Sequence, residues 1–458
     1  MGRSMADQND TGDLSLAELL GALSCALDMT EGQPPGHCMR ACWIGMHMGE
    51  ALGLPRAELW ELYYVLLLKD LGCSSNAARI CELYAADDLS FKRDFKRVDD
   101  SLPTVLRFVV GHAGLQSEPA ERLKTLLTVL RTGGRIAREL IETRCTRGAD
   151  IARQLRFSET VALGIQNLDE HWDGRGKPVG VAGEAIPLYA RIALLAQVVD
   201  VFHTSDGSEA ARAEARRRSG SWFDPAVVEA FERAQARPGF WSGLRDGGLQ
   251  TRLLALEPAQ IARALDDDHL DDIAAAFGQV VDAKSPYTSG HSGRVALYAD
   301  DLASALGVAP DRRRWLRRAA LLHDIGKLGV SNTILDKPGR LDEAEWRVMQ
   351  AHAEKTQAIL SRIGAFRELA QVSAAHHERL DGAGYPLGLK DQQISLETRI
   401  ITTADVFDAL TADRPYRAAM PRHEAYESMA GMAGGALDAR CVEALQVIAP
   451  EAGKVRAA

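Results

Sequence analysis

Several features are missing from this 458-residue sequence, and each absence excludes something. No pair of cysteines is spaced as CxxC, and the total of seven is odd, so neither a zinc knuckle nor a disulfide framework is indicated. Six of the seven (Cys25, Cys38, Cys42, Cys73, Cys81, Cys145) precede residue 150, and Cys441 stands alone near the end. Cys38 and Cys42 share a helix face and read as small buried apolar side chains. No long apolar run is present: the strongest, LYYVLLL at 62–68, is far too short to cross a bilayer. The opening MGRSMADQNDTGDLS is polar and lacks the apolar core of a signal peptide. Positive charge is not in excess either. A net charge of −9 argues against long nucleic acid on a general basic surface, although a few local cations could still hold a small anion. These absences predict a reduced cytoplasmic protein with no membrane contact and no polymeric nucleic acid partner.

Period-2 alternation is scarce as well, and apolar residues recur mostly at helical spacing, which predicts a mainly α fold. Apolar content of 46% and charged content of 26% are ordinary for globular chains, and the length predicts two or three domains. In DRRRWLRRAALLHDIGKLGV, Trp315, Leu316, Ala319, Ala320, Leu322 and Leu328 fit one buried helix face, which places Asp324 and Lys327 on a continuous helix. LETRIITTADVFDALTADRPYR reads as a helix ending before Pro415. The arginines of RRRWLRR (312–318) spread around their helix and read as a solvated face, as does ARAEARRR (211–218).

The chain also resembles itself. Laying LDEHWDGRGKPVGVAGEAIPLYARI (168–192) on HHERLDGAGYPLGLKDQQISLETRI (376–400) matches Asp173, Gly174, Gly176 and Pro178 with Asp381, Gly382, Gly384 and Pro386. Arg191 falls on Arg399 without a gap. Upstream, LLLKDLG (66–72) lies on ALLHDIG (320–326), and HCMR (37–40) on HSGR (291–294). This duplication predicts a disordered start at 1–14, a first copy at 15–210, a linker with short helices at 211–265 and a second copy at 266–458.

The second copy concentrates imidazoles and carboxylates: His291, the adjacent His323 and Asp324, His352, the adjacent His376 and His377, and Asp405. A buried carboxylate must be paired or bound to a cation, and nitrogen and oxygen donors without thiolate suit iron, manganese, zinc and similar divalent ions. In order, H…HDxGK…H…HHExxDGxGYPxGL…D…RPYR over 270–420 resembles the HD-GYP family of bacterial cyclic-dinucleotide phosphodiesterases. The resemblance implies an all-α fold of tandem helical HD-type domains, the second carrying a short GYP loop. It implies two divalent ions, iron or manganese first, with zinc, nickel and magnesium as further candidates. His291, His323, Asp324 and Asp405 would hold one ion. Asp324 would bridge to a second held by His352, His376 and His377, with a local distortion letting the adjacent histidines reach it from different sides. The glutamate that some members use for a third metal is replaced by Tyr287, and neither Ser285 nor Ser289 restores a carboxylate. Lys327 would act at the scissile phosphate. Arg414, Arg417, Tyr385 and Asp381 would contact substrate or shape the site mouth, Arg414 ahead of Arg417.

The expected activity is hydrolysis of cyclic di-GMP to linear pGpG and onward to GMP. The alternatives are a cyclic GMP-AMP phosphodiesterase and a cyclic-dinucleotide-binding or interaction protein without turnover. An HD nucleotidase acting on mononucleotides is a weaker enzyme reading, because the histidine pair and GYP turn are not expected there.

In the first copy His37 and Asp70 remain and His112 matches His352. Lys69 replaces the HD histidine, Cys73 the lysine, Leu168 and Asp169 the double histidine, Gln197 the late aspartate and Lys177 the GYP tyrosine. With at most three of seven ligands left, this copy is expected to bind no catalytic metal. It is expected to pack on the active copy or form a homodimer, and to sense a signal or engage signalling partners.

Overall fold

A computed structural model describes residues 14–448 except 100, 116, 117, 246 and 259–264. The expected disorder of 1–14 concerns residues that, apart from Leu14, lie outside the described ones. Among the described residues the chain is all helix and turn, with three isolated bridges and no strand. None of the described helices is long and apolar enough to cross a membrane.

The first copy begins with α1 (Leu16–Thr30), α2 (His37–Ala51) and α3 (Arg56–Leu68). An insertion follows, comprising α4 (Ala77–Tyr84), α5 (Asp88–Phe95) and α6 (Leu102–His112). The copy continues with α7 (Pro119–Gln154), α8 (Glu159–Gln166), α9 (Leu188–Asp206), α10 (Ser208–Arg217) and α11 (Pro225–Gln235), and the short α12 (Leu249–Leu254) leads out of it. The second copy has α13 (Asp267–Asp282), α14 (His291–Ala305), α15 (Pro310–Leu322), α16 (Asn332–Leu335) and α17 (Glu343–Leu360). It ends with α18 (Arg367–Ala374), α19 (Leu396–Thr411), α20 (Arg422–Met432) and α21 (Ala439–Ile448).

The repeat runs past the boundary expected at 210. Residues Ser219 and Phe223 form the same small bridge between α10 and α11 that Ala433 and Leu437 form between α20 and α21. Within the expected linker, therefore, 211–235 is built into the first copy, and α10 packs on α9 while α11 packs on α2. Nor is ARAEARRR a purely solvated face: Arg218 is buried, pairs with Glu214 and lies 4.0 Å over the Trp222 ring. The arginines of 312–318 are also engaged. Arg314 and Arg318 pair with acids of α13, and Arg312 and Arg313 with Glu368, Glu397 and Asp300.

One apolar core runs through both copies, and a smaller one (Ile80, Tyr84, Phe91, Phe108, Val109, Val129) belongs to the insertion and α7. The copies meet reciprocally. Helix α1 packs on α17 and on the turn that follows α15, while α13 packs on α7 and the corresponding turn of the first copy. The junction holds a buried ion pair, Lys284 to Asp88 at 3.0 Å. Asp88 also accepts from the backbone N–H of Asn332.

Candidate metal centre

Helix α15 does not run through the HD pair as the apolar pattern predicts. It stops at Leu322, His323 caps it, and Ile325–Gly329 form a 3-10 turn. The reason is close packing: a Cβ on Gly326 would stand 2.0 Å from the carbonyl oxygen of His352. The main chain of the turn therefore lies directly on α17, and Asp324 sits at the turn's start rather than inside a helix. In the same way α18 stops at Ala374, so His376 and His377 occupy a turn, with ring centroids 3.9 Å apart. The local distortion expected for the adjacent histidines is this helix end.

The turn brings the donors of four helices onto Asp324. Its Oδ2 lies 3.5 Å from His291 Nε2 and 3.3 Å from His323 Nε2. Its Oδ1 lies 3.5 Å from both His352 Nε2 and His376 Nε2. Asp405 Oδ1, from α19, is 3.3 Å from His291 Nε2. Ligand atoms of His291, His323 and Asp324 lie within 4.8 Å of one another, and so do those of Asp324, His352, His376 and His377. Six of the seven expected metal ligands thus form two groups that share Asp324, and the seventh, Asp405, joins His323 and His376 in a third group that overlaps both.

The protonation pattern suits a cation. The outward nitrogens are committed: His323, His352 and His376 place Nδ1 2.6 Å from the carbonyl oxygens of Ala320, Met349 and Ser373. That fixes the tautomer and directs Nε2 inward. There Nε2 of His291, His323, His352 and His376, with Asp324 Oδ1, are buried without a hydrogen-bond partner among the described residues. Five buried polar atoms converging with no partner are costly unless they bind something, and nitrogen and carboxylate donors fit a divalent ion. Burial, followed by the Lys327 charge, pushes His352 down to about 3. Burial with neighbouring imidazoles holds His377 well below the ordinary histidine range. Burial opposes ionisation of Asp324, but His323, Lys327 and His291 overcome it and keep the carboxyl well below its usual range. Neutral imidazoles beside ionised carboxylates are the forms that ligate, and His352, His376 and His377 conform. Burial opposes the charge of His291 too, but Asp324, Asp405 and Asp408 overcome it and raise that imidazole well above the ordinary histidine range.

Of the remaining expected site residues, Lys327 is close in, its Nζ 2.6 Å from Asp324 Oδ2. The Tyr385 ring lies 4.8 Å from that of His377 and 6.3 Å from that of His352, forming a wall beside the histidines. Arg414, beyond the end of α19, has no ion pair or side-chain hydrogen bond among the described residues. One expectation changes, that of Arg417, while Asp381 stands in the turn that shapes the site mouth. Arg417 donates its guanidinium to the carbonyl oxygens of Ala409, Leu410 and Ala418, so it closes the C-terminal end of α19 instead of reaching outward. Asp381 is tied into its own turn by Arg379 and the Ala383 N–H, as Asp173 is by Arg175 in the first copy.

Sequence reasoning missed three supporting residues. Asp408, one turn after Asp405, accepts from His291 Nδ1 at 2.7 Å and from Arg294 at 2.6 Å. Glu378 accepts the N–H groups of Leu387 and Leu389 and so ties down the GYP loop, whose Tyr385–Pro386 peptide is cis. Asp282 caps α14 through Ser292. The duplication carried the signal, because Asp200, Glu170 and Asp28 do the same for His37, for Val179 and Gly180, and for Cys38.

The first copy keeps this frame and fills its centre with chain-borne cations. Lys69 Nζ lies 3.0 Å from His37 Nε2 and pairs with Asp70. Lys96, from the insertion, pairs with Glu31 at 2.9 Å and reaches Asp70 at 3.7 Å. The expected match of His112 to His352 fails. A Cβ on Gly72 would meet the carbonyl of Arg144 as one on Gly326 would meet that of His352, so Arg144 is the counterpart. His112 instead packs on Phe108 and pairs with Asp94 in the insertion. Two ligands of seven survive, His37 and Asp70.

Comparison with known proteins agrees with this geometry. An HD domain family model matches residues 124–227 and 276–441. The chain belongs to the HD-domain family, in its HD-GYP branch. A 3'3'-cGAMP-specific phosphodiesterase 3 of Vibrio cholerae is 58% identical over 431 residues, 94% of each chain. A crystal structure described as a cyclic GMP-AMP specific phosphodiesterase of V. cholerae superimposes with TM-score 0.66 at 51% identity, covering 95% of this chain and 97% of that one. The cyclic di-GMP phosphodiesterase response regulator RpfG of Xanthomonas campestris is 35% identical over 43% of this chain and 53% of its own.

Proposed function

We propose that the second copy is a metal-dependent phosphodiesterase that opens cyclic dinucleotides, with 3'3'-cyclic GMP-AMP as preferred substrate. The cyclic di-GMP reading that the motifs first suggest gives way to its alternative. The relative that spans nearly the whole chain is named for cyclic GMP-AMP, while the cyclic di-GMP enzyme reported above matches less than half of it. The observation that carries the catalytic reading is the convergence of donors on Asp324 in two groups that share it, with Asp405 beside them next to His323 and His376.

In this reading His291, His323, Asp324 and Asp405 hold one divalent ion, and Asp324, His352, His376 and His377 a second. Ions so placed would lower the pKa of a water and draw charge from a phosphodiester. The chain's own residues do the rest. Asp408 and the backbone carbonyls keep the imidazoles in the ligating tautomer. The Lys327 ammonium, held at Asp324, faces the scissile phosphate, neutralises its oxygens and supplies a proton to the departing ribose oxygen. The Tyr385 ring shields the His377 side from water, and the unpaired Arg414 guanidinium binds the second phosphate or a guanine edge through its planar fork. The product is a linear dinucleotide with a terminal phosphate.

The test is hydrolysis by the purified chain with manganese or ferrous iron, supplied in turn with 3'3'-cyclic GMP-AMP and cyclic di-GMP. The parent should turn over the first faster, and His323→Ala with Asp324→Ala should abolish both. Binding without turnover in every metal would refute the enzymatic reading. Faster cyclic di-GMP hydrolysis would refute the substrate assignment alone.

A further inference from the structure

The place that holds the metal ligands in the second copy is, in the first, the floor of a cavity of about 410 Å³. That volume falls within the roughly 300–1,000 Å³ typical of small-molecule sites. Arg144, Asp169, Lys177 and Gln197 line it, at the positions of His352, His377, Tyr385 and Asp405. The insertion has no counterpart in the second copy and forms the remaining wall through Ile80, Phe91, Val105 and Phe108. At the rim, Phe95, Leu102 and Leu130 are 43%, 70% and 58% exposed, so the entrance is apolar as well.

Two further observations bear on what the cavity takes. Helix α7 presents Leu130, Gly133, Gly134, Ala137, Leu140 and Ile141 to it at helical spacing. Adjacent glycines inside a helix cost about 0.5–1 kcal/mol each relative to alanine. A Cβ on Gly134 would meet nothing within 4 Å, and one on Gly133 only Val129 at 3.4 Å, so neither glycine is demanded by packing. What they preserve is room. The charges, meanwhile, are almost all satisfied. Lys96 pairs with Glu31, Arg144 with Asp169, and Asp99 with Arg217, while Lys92 donates to the carbonyls of Thr30 and Cys73. Lys177 alone among the charged lining residues makes no ion pair or side-chain hydrogen bond among the described residues.

We propose that the first copy is a binding site for an amphipathic monoanion, a long apolar tail carrying one carboxylate, with the tail between α7 and the insertion and the carboxylate on Lys177. A cyclic dinucleotide fits poorly, because it would set two phosphates and polar bases against aliphatic walls with one unpaired cation.

The test is titration of the full-length protein, without metal or cyclic dinucleotide, with dodecanoate and with dodecanol as the neutral tail. Dodecanoate should bind saturably at one site per chain, and dodecanol at least about tenfold more weakly. Lys177→Met should remove that difference, and Lys177→Arg should keep it. Gly133→Leu should abolish binding of both while thermal stability holds or rises, since leucine favours the helix. Non-saturable uptake, affinity unchanged by Gly133→Leu, or equal binding of acid and alcohol by the parent would overturn the proposal. So would affinity that falls with rising protein concentration, because the rim would then be covered by a second copy of the chain. None of these outcomes depends on hydrolysis.

Discussion

The most informative perturbation is to give the second copy the centre of the first, by His323→Lys. In the first copy the ammonium at this position contacts His37 Nε2 at 3.0 Å and pairs with Asp70. In the second copy the equivalent His291 Nε2 lies 3.5 Å from Asp324 and 3.3 Å from Asp405, so the same nitrogen position is framed by three acceptors. The substitution should therefore fold and keep the Asp324 charge compensated while excluding the ion that His323 would help to hold. For the parent, an ion present at a hundred times its dissociation constant adds about 2.7 kcal/mol. For a domain of this size that corresponds to roughly 5–10 °C in melting temperature. Chelation should lower the parent's transition by at least that amount and the His323→Lys transition by less, because the group of Asp324, His352, His376 and His377 does not include the substituted residue. Elemental analysis should find less bound metal in the variant, and turnover should vanish. A variant that keeps the parent's metal content or its response to chelator would refute the equivalence of Lys69 with a bound cation.

Other expectations follow from the same geometry. Asp408→Asn should weaken metal affinity about 10–100-fold, because His291 loses the carboxylate that fixes its tautomer; metal titration with unchanged helicity would show it. Lys284→Met leaves Asp88 buried without its cation and should cost about 3–5 kcal/mol in denaturant unfolding. Glu378→Gln should loosen the GYP loop and raise proteolytic cleavage between 381 and 390, with His376 still in place. On acidification, His37, which burial and then Lys69 push down to about 4 from 6.5, contributes stability that is present above 6.5 and lost as pH falls through 4. Glu31 has the same sign: burial opposes its charge but Lys96 holds it at about 2, so its contribution is present above 4.5 and lost toward 2. Asp28, raised by burial to about 6, acts oppositely between 3.8 and 6. His37 and Asp28 offset one another between pH 6 and 4.5, so the net expectation is a small loss between 6.5 and 6 and the main loss below 4.5, and an unfolding free energy that stays flat from pH 4.5 to 3 would contradict it.

The helical class, the duplication and all seven donors could be read from the residues, because ligating chemistry is written in side-chain identity and order. The geometry of the donors was less legible. Apolar periodicity continues through 319–328, yet the helix stops at Leu322, since contact between the Gly326 main chain and α17 depends on a neighbour distant in sequence. The pairing of His112 with His352 failed for a related reason. An insertion of three helices shifts the register between the two aligned blocks, and only the packing of Gly72 against Arg144 restores it. Arg417 and Asp381 show that a motif position can serve the turn in which it stands, and residue type alone does not separate that from contact with a ligand. Asp408 was overlooked because one more carboxylate on a helix is unremarkable until His291 is seen against it.

The crossed arrangement of α1 and α13 has a consequence for dissecting this molecule. The turn bearing Asp324 is backed by α1, and Met29 stands where a side chain on Gly329 would lie, at 2.9 Å. The half that keeps two of the seven ligand positions thus furnishes the rear wall of the motif in the half that keeps all seven. A cut between the repeats would lay bare an apolar seam on both fragments, so neither isolated piece is a fair proxy for its behaviour in the whole.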